Sequence, residues 1–289
     1  MRFAKYTQSL RVQEGKKVSL GKWKTCVKPL YQSQEEYDFF LGQFKSEIST
    51  FQEKLWAASQ YAILIIFQGM DTSGKDGAIS HVMSGVNPQG CVVHSFKIPS
   101  EDELKHDFLW RTHARIPKRG EIGIFNRSHY EEVLVDRVHP DILAREGLPK
   151  EARERPRFWQ HRLADIRHHE SYLDRQGIKI VKFFLHISKE EQRQRLLARL
   201  SKPKKNWKVS IGDLHERKYW KEYQRAYEAC LEDTSTKQCP WFVIPSDDKK
   251  NARLLISQIL LDEMSKVPAD YPKITPQQRQ ELRKIKKMI

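Results

Sequence analysis

Ala62-Ile-Leu-Ile-Ile-Phe67 and Gly69-Met-Asp-Thr-Ser-Gly-Lys-Asp-Gly77 lie one residue apart in the chain, and this stretch decides the fold. The first segment is a short, wholly apolar run, which is typical of a buried β-strand. The second segment fits G-x-x-x-x-G-K, the core of a phosphate-binding loop (P-loop) between a strand and a helix. Its glycines let backbone N–H groups converge on phosphate oxygens, the next helix presents its positive end, and Lys75 adds a point charge. The short pattern also arises by chance, so its position after an apolar strand is what favours phosphate binding over a plain strand–helix turn.

Two acids lie inside this loop. Asp76 occupies the position where a P-loop usually carries Ser or Thr, and Asp71 lies between the first glycine and the lysine. Two carboxylates repel a bound phosphate unless metal ions lie between them, and Mg²⁺ is the hard cation that carboxylates and phosphates bind. We therefore expect Asp71 and Asp76 to hold Mg²⁺, with Mn²⁺ as the alternative metal. The alternative for Asp76 alone is that it compensates the positive end of the helix dipole.

Short apolar runs alternate with helical patterns along the rest of the chain. The strand candidates are residues 62–67, 91–96, 121–125, 178–187 and 241–244, and the helical patterns cover 33–59, 76–84, 101–114, 128–138, 156–175, 189–200, 213–233 and 247–264. Strand–helix alternation predicts a parallel sheet covered by helices on both faces, so the predicted fold class is α/β. Sheets of this kind bind ligands at the carboxyl ends of their strands.

The third strand candidate ends in a second polar motif. It runs into Phe125-Asn-Arg-Ser-His-Tyr-Glu131, at the point where P-loop proteins carry the acid of their second motif. Arg127 is suited to clamp phosphate with two hydrogen bonds, and Asn126 and Glu131 are suited to complete a magnesium shell. We interpret Ser128 as a helix cap rather than a nucleophile, because the sequence offers no base to activate it.

Residues 193–208 concentrate positive charge after the fourth strand candidate. They contain no acid and seven cations, which are Arg193, Arg195, Arg199, Lys202, Lys204, Lys205 and Lys208. Arg195 and Arg199 are four residues apart, so a helix presents them on one face. We interpret the strip as a lid that closes over phosphates. A solvated basic surface is one alternative, and a nucleic-acid footprint is another, although such footprints interleave aromatic residues and only Trp207 is present here.

The overall composition agrees with a polyanionic partner. Of 289 residues, 52 are Lys or Arg and 37 are Asp or Glu, so the formal net charge is +15. This excess points to nucleic acid, an anionic membrane surface or a phosphate-rich substrate. The longest apolar run is far shorter than the about 20 residues that span a bilayer, and residues 1–30 lack the apolar segment of a signal peptide. With four scattered cysteines and no C-x-x-C pair, we expect a soluble, cytoplasmic protein with reduced thiols.

We predict one domain with terminal extensions. Residues 1–33 form a basic N-terminal arm, and residues 34–270 form a P-loop phosphotransferase domain whose lid covers about 189–220. Residues 271–289 form a basic C-terminal helix, whose start is marked by Thr275-Pro.

Several segments resemble the polyphosphate kinase 2 family. They are Phe67-Gln-Gly-Met-Asp-Thr-Ser-Gly-Lys-Asp-Gly77, Gly85-Val-Asn-Pro-Gln-Gly90, Phe125-Asn-Arg-Ser-His-Tyr-Glu131, Lys182-Phe-Phe-Leu-His186, Trp207-Lys and Trp241-Phe-Val-Ile-Pro245. The resemblance implies a P-loop kinase-like parallel sheet sandwiched by helices, with a helical basic lid. It also implies magnesium-dependent phosphoryl transfer between polyphosphate and nucleotides, and self-association as dimers or tetramers.

The motifs and the resemblance together assign roles to individual residues. The predicted catalytic residues are Asp71, Lys75, Asp76, Arg127 and Glu131, and the predicted metal ligands are Asp71, Asp76 and Asn126. The residues predicted to contact polyphosphate are Gly74, Lys75, Gly77, Arg127, Arg195, Arg199, Lys202 and Lys208. Those predicted to contact the nucleotide are Asp71, Asn87, Asn126 and Arg137, and the acid of the lid falls on Asp213.

The form of the second motif indicates the acceptor. Asn126 and Glu131 depart from the Asp-Arg-Ser-Trp-Tyr-Asn form of the diphosphate-specific subgroup and resemble class III, whose members accept nucleoside mono- and diphosphates. The predicted function is therefore phosphoryl transfer between polyphosphate and AMP or ADP, with GMP and GDP as further acceptors. The alternatives are a nucleotide kinase that uses ATP as its donor and a non-enzymatic P-loop module that binds nucleic acid. We expect neither nucleic acid nor a membrane as a partner.

Overall fold

The centre of the structure is a five-stranded, all-parallel sheet. The structure is a computed structural model and describes residues 3–208 and 211–289. The strands are β1 (Ala62–Gln68), β2 (Cys91–Ser95), β3 (Ile122–Asn126), β4 (Ile178–His186) and β5 (Trp241–Pro245), in the spatial order β2-β3-β1-β4-β5. Each predicted strand is present within one residue of its expected bounds. The α/β fold class is confirmed.

Helices cover this sheet. In chain order they are α1 (Ala4–Leu10), α2 (Gln34–Ala58), α3 (Lys75–Val82), α4 (Trp110–His113), α5 (Glu131–Val138), α6 (Pro140–Leu143), α7 (Lys150–Arg153), α8 (Phe158–Arg175), α9 (Lys189–Leu200), α10 (Ile211–Glu216), α11 (Trp220–Thr234), α12 (Lys249–Met264) and α13 (Pro276–Met288). Within the described ranges, none of them combines the length and the apolar character needed to cross a membrane.

Two predicted helices differ in extent from the observed ones. Residues 101–114 contain only a 3-10 turn (Glu103–Lys105) and the single turn of α4. The Asp107 carboxylate accepts a hydrogen bond from the backbone N–H of Leu109 (3.0 Å), and this local contact competes with a continuous helix. Residues 213–233 are divided into α10, a 3-10 turn (Arg217–Tyr219) and α11. The division falls inside the predicted lid.

Strand β1 is buried on both faces. Its side chains alternate between two hydrophobic clusters, with Ile63, Ile65 and Phe67 in one and Ala62, Leu64 and Ile66 in the other. Full burial of one large aliphatic side chain contributes about 1.5–3 kcal/mol. A strand that is apolar on both faces is what a doubly covered parallel sheet requires, so the uninterrupted apolar run at 62–67 places β1 in the middle.

The N-terminal arm covers the β5 edge of the sheet. The backbone N–H of Val12 donates to the carbonyl oxygen of Trp241 (2.9 Å), and Arg11 forms an antiparallel bridge with Phe242. Phe3 and Leu10 are buried in one of the clusters that β1 fills. The arm therefore closes an edge whose backbone N–H and C=O groups are otherwise unpaired.

A buried ion pair joins β4 to α8. Lys182 and Glu170 are 0% and 1% exposed, and the ammonium and the carboxylate are in direct contact. The ammonium also donates to the Tyr130 hydroxyl (3.0 Å) and to the carbonyl oxygen of Thr234 (2.8 Å). Burial by itself raises the pKa of Glu170, but Lys182 reverses this effect and the net shift is downward. The Tyr130 hydroxyl donates to the same carboxylate (2.7 Å), so the ion pair also holds the segment before α5.

We expect Lys182→Met to lower the free energy of unfolding by about 3–5 kcal/mol, because the Glu170 carboxylate then stays buried without its counter-ion. Urea unfolding followed by tryptophan fluorescence measures this change. The double variant Lys182→Met/Glu170→Met removes both charges and should lose less stability than the single variant. A single variant within about 1 kcal/mol of wild type contradicts the assignment.

Candidate active site

The P-loop begins where β1 ends and closes on the first turn of α3. Gly69 and Gly74 have φ angles of 152° and 108°, in the region that favours glycine. A Cβ at Gly69 would lie 2.9 Å from the carbonyl oxygen of Leu185 in β4, so close packing also excludes a side chain there. These two glycines set the turn that places Lys75 at the first position of α3.

Lys75 is buried and closes the loop on itself. Its side chain is 8% exposed, and the ammonium donates to the carbonyl oxygens of Gly69 (2.6 Å) and Met70 (3.4 Å). Burial lowers the pKa of Lys75 to about 8, and the nearby Arg127 guanidinium acts in the same direction. Three nearby carboxylates oppose this shift only in part. The charge of Lys75 therefore changes within the pH range of an ordinary activity assay.

The parallel register brings the second motif beside the loop. Phe67 of β1 is the partner of Asn126 of β3, and the backbone N–H of Arg127 donates to the carbonyl oxygen of Phe67 (3.0 Å). The side-chain amide of Asn126 donates to the Asp76 carboxylate (2.8 Å). Two predicted metal ligands that are 50 residues apart in the chain are therefore in direct contact.

Arg127 links the acids of both motifs. Its guanidinium donates to the carboxylates of Asp71 (2.8 Å) and Glu131 (2.9 Å). Glu131 raises the pKa of Arg127 against the effect of burial, and Asp71 adds to this rise, so the guanidinium stays charged. The φ angle of Arg127 is 64°, a left-handed conformation that residues with a side chain rarely adopt. Backbone strain of this kind persists where the surroundings hold it in place, often at functional sites.

Buried side chains hold the backbone on either side of Arg127. The Ser128 hydroxyl is fully buried and accepts hydrogen bonds from the side-chain amide of Gln68 (3.3 Å) and the backbone N–H of Tyr130 (3.3 Å). Tyr130 is held in turn by its hydrogen bond to Glu170 of the buried Lys182–Glu170 ion pair. Ser128 therefore stabilises the turn before α5, but the prediction that it caps this helix is wrong, because the N-cap of α5 is Tyr130 and no side chain caps it.

Arg195 braces the P-loop from α9. It is 7% exposed, and one terminal nitrogen donates to the carbonyl oxygens of Thr72 (2.9 Å) and Ser73 (2.8 Å). The other terminal nitrogen donates to the carbonyl oxygens of Ser246 and Asp247. The remaining nitrogen of the guanidinium, Nε, donates to the Glu191 carboxylate (2.8 Å). The contacts observed for Arg195 thus fix the loop backbone. Its predicted contact with polyphosphate stays a prediction.

Two residues that the sequence analysis missed, Gln192 and Arg217, connect the predicted lid to the P-loop. The side-chain amide of Gln192 donates to the carbonyl oxygen of Asp71 (3.0 Å) and accepts a hydrogen bond from Arg217 (2.6 Å). Asp71 is therefore held twice, by Gln192 at its carbonyl group and by Arg127 at its carboxylate. The one signal in the sequence is that Gln192 lies three residues before Arg195, and so on the same face of α9.

The remaining predicted polyphosphate contacts lie in α3 and the lid. Gly77 is in the first turn of α3, Arg199 is half-buried one turn beyond Arg195, and Lys202 is exposed. The side chains of Lys208 and Asp213 lie outside the described part of the structure. The roles of these residues stay predictions.

The structure places one predicted nucleotide contact, Asn87, far from the P-loop, and its contact with the nucleotide stays a prediction. Asn87 precedes β2 and accepts a hydrogen bond from the backbone N–H of Gln89 (3.0 Å), so it caps the 3-10 turn Pro88–Gly90. This turn lies at the amino ends of the parallel strands, whereas the P-loop follows the carboxyl end of β1. Five residues of β2 separate the two edges by about 16 Å. A motif match located Asn87 in the sequence, but the topology puts it at the opposite edge of the sheet.

Arg137, the other predicted nucleotide contact outside the two motifs, lies in the last turn of α5. There it is close enough to Asp233 of α11 to act on the charge of that residue. Burial raises the pKa of Asp233, and Arg167 and Arg137 oppose that rise. A contact between Arg137 and the nucleotide stays a prediction.

A second charged cluster lies beside α5, and the sequence analysis missed it. Carboxylate oxygens of Glu132, Asp136 and Glu146 lie within 4.8 Å of one another, Arg111 donates to Glu132 (2.8 Å), and Arg162 is paired with Glu146. Burial and the neighbouring carboxyl groups raise the pKa of Asp136. Burial also raises the pKa of Glu132, and Arg111 opposes that rise. The cluster ties the segments that carry Arg111 and Glu146 to α5.

The acids of the two motifs form the kind of ligand set that a hard divalent cation needs. Asp71 and Asp76 offer carboxylate oxygens and Asn126 offers an amide oxygen, all of which suit Mg²⁺. Arg127 positions the carboxylate of Asp71, and Asn126 is in contact with Asp76. The residues present therefore fit the predicted metal.

The chain matches a known family over most of its length. The family model described as Polyphosphate kinase 2 matches residues 31–271. The chain belongs to the polyphosphate kinase 2 family. The resemblance seen in the sequence is thereby confirmed, and the chain is a kinase.

Individual members of the polyphosphate kinase 2 family agree with this assignment. The ADP-polyphosphate phosphotransferase of Rhodopseudomonas palustris is 52% identical over 283 residues, which are 98% of this chain and 98% of that protein. The AMP/ADP-polyphosphate phosphotransferase of Meiothermus ruber is 45% identical over 80% of this chain and 82% of its own length. The crystal structure of polyphosphate kinase 2 from Arthrobacter aurescens covers 96% of both chains with a TM-score of 0.84 and 38% identity.

We expect kcat/KM for polyphosphate to fall above about pH 8, because Lys75 then loses its charge, and kcat/KM reports the pKa values of the free enzyme. Lys75→Arg carries a guanidinium that stays protonated, so the fall should disappear from its profile up to about pH 10. The measurement is the pH dependence of kcat/KM at constant ionic strength. The same alkaline fall in both proteins contradicts the assignment to Lys75.

The stability of the protein provides an independent readout of the same group. The pKa of Lys75 is lower in the folded than in the unfolded chain, so between about pH 8 and 10.4 the unfolded state binds more protons. Lys75 therefore contributes a free energy of unfolding that increases with pH across this window. The contribution should be missing from Lys75→Met when urea unfolding is compared at both ends of the window.

We expect Arg195→Ala and Arg199→Ala to have different effects. Arg195→Ala should lower the free energy of unfolding by at least about 1.5–3 kcal/mol, the value of one charge-assisted hydrogen bond, and should lower kcat because the loop loses its brace. Arg199→Ala should raise KM for polyphosphate and should lower the free energy of unfolding by less than Arg195→Ala does, since Arg199 is only half-buried. Differential scanning calorimetry and steady-state kinetics measure both effects. Equal stability of the two variants contradicts the brace.

Proposed function

We propose that this chain transfers phosphoryl groups between inorganic polyphosphate and nucleoside mono- and diphosphates, with AMP and ADP as acceptors and GMP and GDP as further ones. The observation that carries the proposal is the meeting of Lys75, Arg127 and the loop acids at one edge of the sheet, beside the basic helix α9. Membership of the polyphosphate kinase 2 family supports the same reaction.

Asp71, Asp76 and Asn126 would hold Mg²⁺ in this reaction. The metal, when bound, neutralises charge that develops on the phosphate oxygens. The chain's own task is positioning, since phosphoryl transfer needs little covalent chemistry from the protein. Gly74 and Gly77 give the backbone N–H groups access to phosphate, and Lys75 exchanges its carbonyl partners for phosphate oxygens. Arg127 orients the transferred group while Glu131 and Asp71 hold its guanidinium in place.

The basic lid supplies the binding surface for a long polyanion. Apart from the buried Arg195, the cations of this strip whose side chains the structure describes are at least partly exposed, and they are Arg193, Arg199, Lys202 and Lys204. Bare phosphate chains offer no bases to stack, which agrees with a strip that has cations and a single aromatic residue. Binding to such a strip releases counter-ions, so affinity for polyphosphate should weaken with salt.

The acceptor class rests on the second motif. Asn126 and Glu131 give it the form of the subgroup that accepts mono- and diphosphates, and in the structure both side chains contact charged groups of the site. The two relatives described above differ in their names, one for ADP alone and one for AMP and ADP. We place this chain with the second kind on the motif.

We also propose where the enzyme works and which partners it has. We propose a cytoplasmic enzyme, because its four cysteines form no disulfide and its substrates are intracellular nucleotides. We propose homo-oligomers, and neither nucleic acid nor a membrane as a partner.

The proposed function is tested with polyphosphate as the sole phosphate donor. We expect AMP to yield ADP and ADP to yield ATP in the presence of Mg²⁺, with Mn²⁺ as a substitute and no turnover in excess chelator. Asp71→Asn, which keeps the size of the side chain, should lower kcat by about a hundredfold or more, as the loss of one electrostatic stabiliser does elsewhere. Its circular dichroism should match wild type.

The outcomes separate the alternatives. Turnover with ATP but not with polyphosphate makes the chain an ATP-dependent nucleotide kinase. Binding of nucleic acid without turnover of either donor makes it a binding module. Use of ADP with rejection of AMP overturns the acceptor assignment alone.

A further inference from the structure

The backbone of the P-loop is strained at Thr72. This residue has a φ angle of 63°, in the left-handed region, where a side chain branched at Cβ is a rare outlier. Thr72 is 8% exposed, and its hydroxyl has no hydrogen-bond partner among the residues that the structure describes. Strain of this kind persists only where the surroundings hold it, so the turn depends on contacts made by other side chains.

Helix α9 holds three consecutive carbonyl groups of this turn. Gln192 donates to the carbonyl oxygen of Asp71 (3.0 Å), and Arg195 donates to those of Thr72 (2.9 Å) and Ser73 (2.8 Å). Gln192 and Arg195 are both buried. The φ angle of Thr72 sets the orientation of the peptide group that carries the Asp71 carbonyl. The hydrogen bond from Gln192 therefore acts directly on the strained angle.

Arg217 fixes the direction of the Gln192 amide. Its guanidinium donates to the amide oxygen of Gln192 (2.6 Å) and to the carbonyl oxygen of Lys189 (3.1 Å), at the start of α9. A guanidinium can only donate, so the amide oxygen faces Arg217 and the amide nitrogen faces Asp71. Without Arg217 the amide is free to reverse, and the Asp71 carbonyl then loses its donor.

Arg217 itself belongs to the end of the predicted lid. It lies in the 3-10 turn between α10 and α11. The preceding residue, Glu216, accepts a hydrogen bond from the Tyr223 hydroxyl (2.7 Å) and pairs with His139 (2.9 Å). This end of the lid is therefore fastened to α5 and α11 through Glu216, and to the P-loop through Gln192.

We propose that Gln192, oriented by Arg217, is a positioning residue for the metal ligand Asp71. The amide holds the strained turn at Thr72, and the turn directs the Asp71 carboxylate to the cation. The affinity of the site for divalent metal then depends on the place of the lid end that carries Arg217. This inference rests on the proposed metal site and concerns what keeps that site in shape.

Binding of Mn²⁺ measures the effect on the metal site directly. Mn²⁺ is titrated into the full-length chain, and the free ion is followed by electron paramagnetic resonance. Gln192→Ala and Arg217→Ala should each weaken binding by about tenfold or more, as is typical of residues that orient a metal ligand. In activity assays the apparent activation constant for Mg²⁺ should rise by a similar factor, whereas kcat at saturating Mg²⁺ should change less.

Two further variants separate positioning from packing of α9. Gln192→Glu still accepts a hydrogen bond from Arg217, but its carboxylate cannot donate to the Asp71 carbonyl, so it should weaken Mn²⁺ binding as Gln192→Ala does. The matched control is Gln194→Ala. Gln194 is exposed on the same helix and donates to Glu190 (2.7 Å), so the loss of its amide should leave Mn²⁺ binding at the wild-type value.

The strain is tested with Thr72→Gly, because glycine adopts a left-handed conformation readily and the turn then needs less support. In this background Gln192→Ala should weaken Mn²⁺ binding at least about threefold less than it does in wild type, since both changes act on one turn. Amide hydrogen exchange adds a readout without metal. The peptide that contains residues 69–77 should exchange faster in Gln192→Ala and Arg217→Ala, and the peptide of β1 should not.

The outcomes separate this inference from the proposed function. If Asp71→Asn loses Mn²⁺ but Gln192→Ala and Gln192→Glu bind it as wild type does, the positioning role is wrong and the metal site stands. Equal effects of Gln192→Ala in the two backgrounds overturn the role of the strained turn. Mn²⁺ binding that Asp71→Asn leaves unchanged overturns the metal site together with this inference. Circular dichroism and Tm verify each fold, and if Arg217→Ala is unfolded, Gln192→Glu decides.

Discussion

The parallel pairing of β1 with β3 is the constraint on which the site depends. Because Phe67 is the register partner of Asn126, the P-loop and the second motif leave the sheet at the same edge. A shift of one residue would turn the side chains of β1 to the opposite faces, and these side chains fill a hydrophobic cluster on each side. The packing of the core therefore determines which charged groups meet at the sheet edge.

The charged groups at that edge are held by one another. Lys75 is bound to carbonyl groups of its own loop, Arg127 lies between Asp71 and Glu131, and Asn126 is bound to Asp76. A substrate phosphate would exchange partners within this set without first moving long side chains from solvent. Such preorganisation is the main source of electrostatic stabilisation in enzymes, since little reorganisation is needed when charge develops. It also explains how the strained conformation of Arg127 is maintained.

Two buried polar networks contact the residues on either side of Glu131 and so support the charged groups at the sheet edge. Lys182 and Glu170 hold Tyr130, and Arg111 and Arg162 balance the carboxylates beside α5. Buried ion pairs contribute little net stability compared with apolar side chains of similar size, because desolvation of the charges offsets their attraction. Their geometry is nevertheless specific, and here both networks contact the residues that surround Glu131. They orient α5, the helix that carries the last acid of the second motif.

The sequence by itself determined the fold class, the five strands, the P-loop and the second motif, because each of these is a local pattern. An apolar run of six residues followed by a glycine-rich turn is typical of a doubly buried strand, and Lys75 follows from the spacing of the glycines. Residues whose role depends on distant partners were decided by the tertiary structure alone. Arg195 has the pattern of a solvent-facing lid residue but contacts the P-loop and the segment after β5, and Gln192 reaches Asp71 from 121 residues away. Asn87 matched a motif but lies at the opposite edge of the sheet, since strand direction is a property of the assembled sheet rather than of a segment.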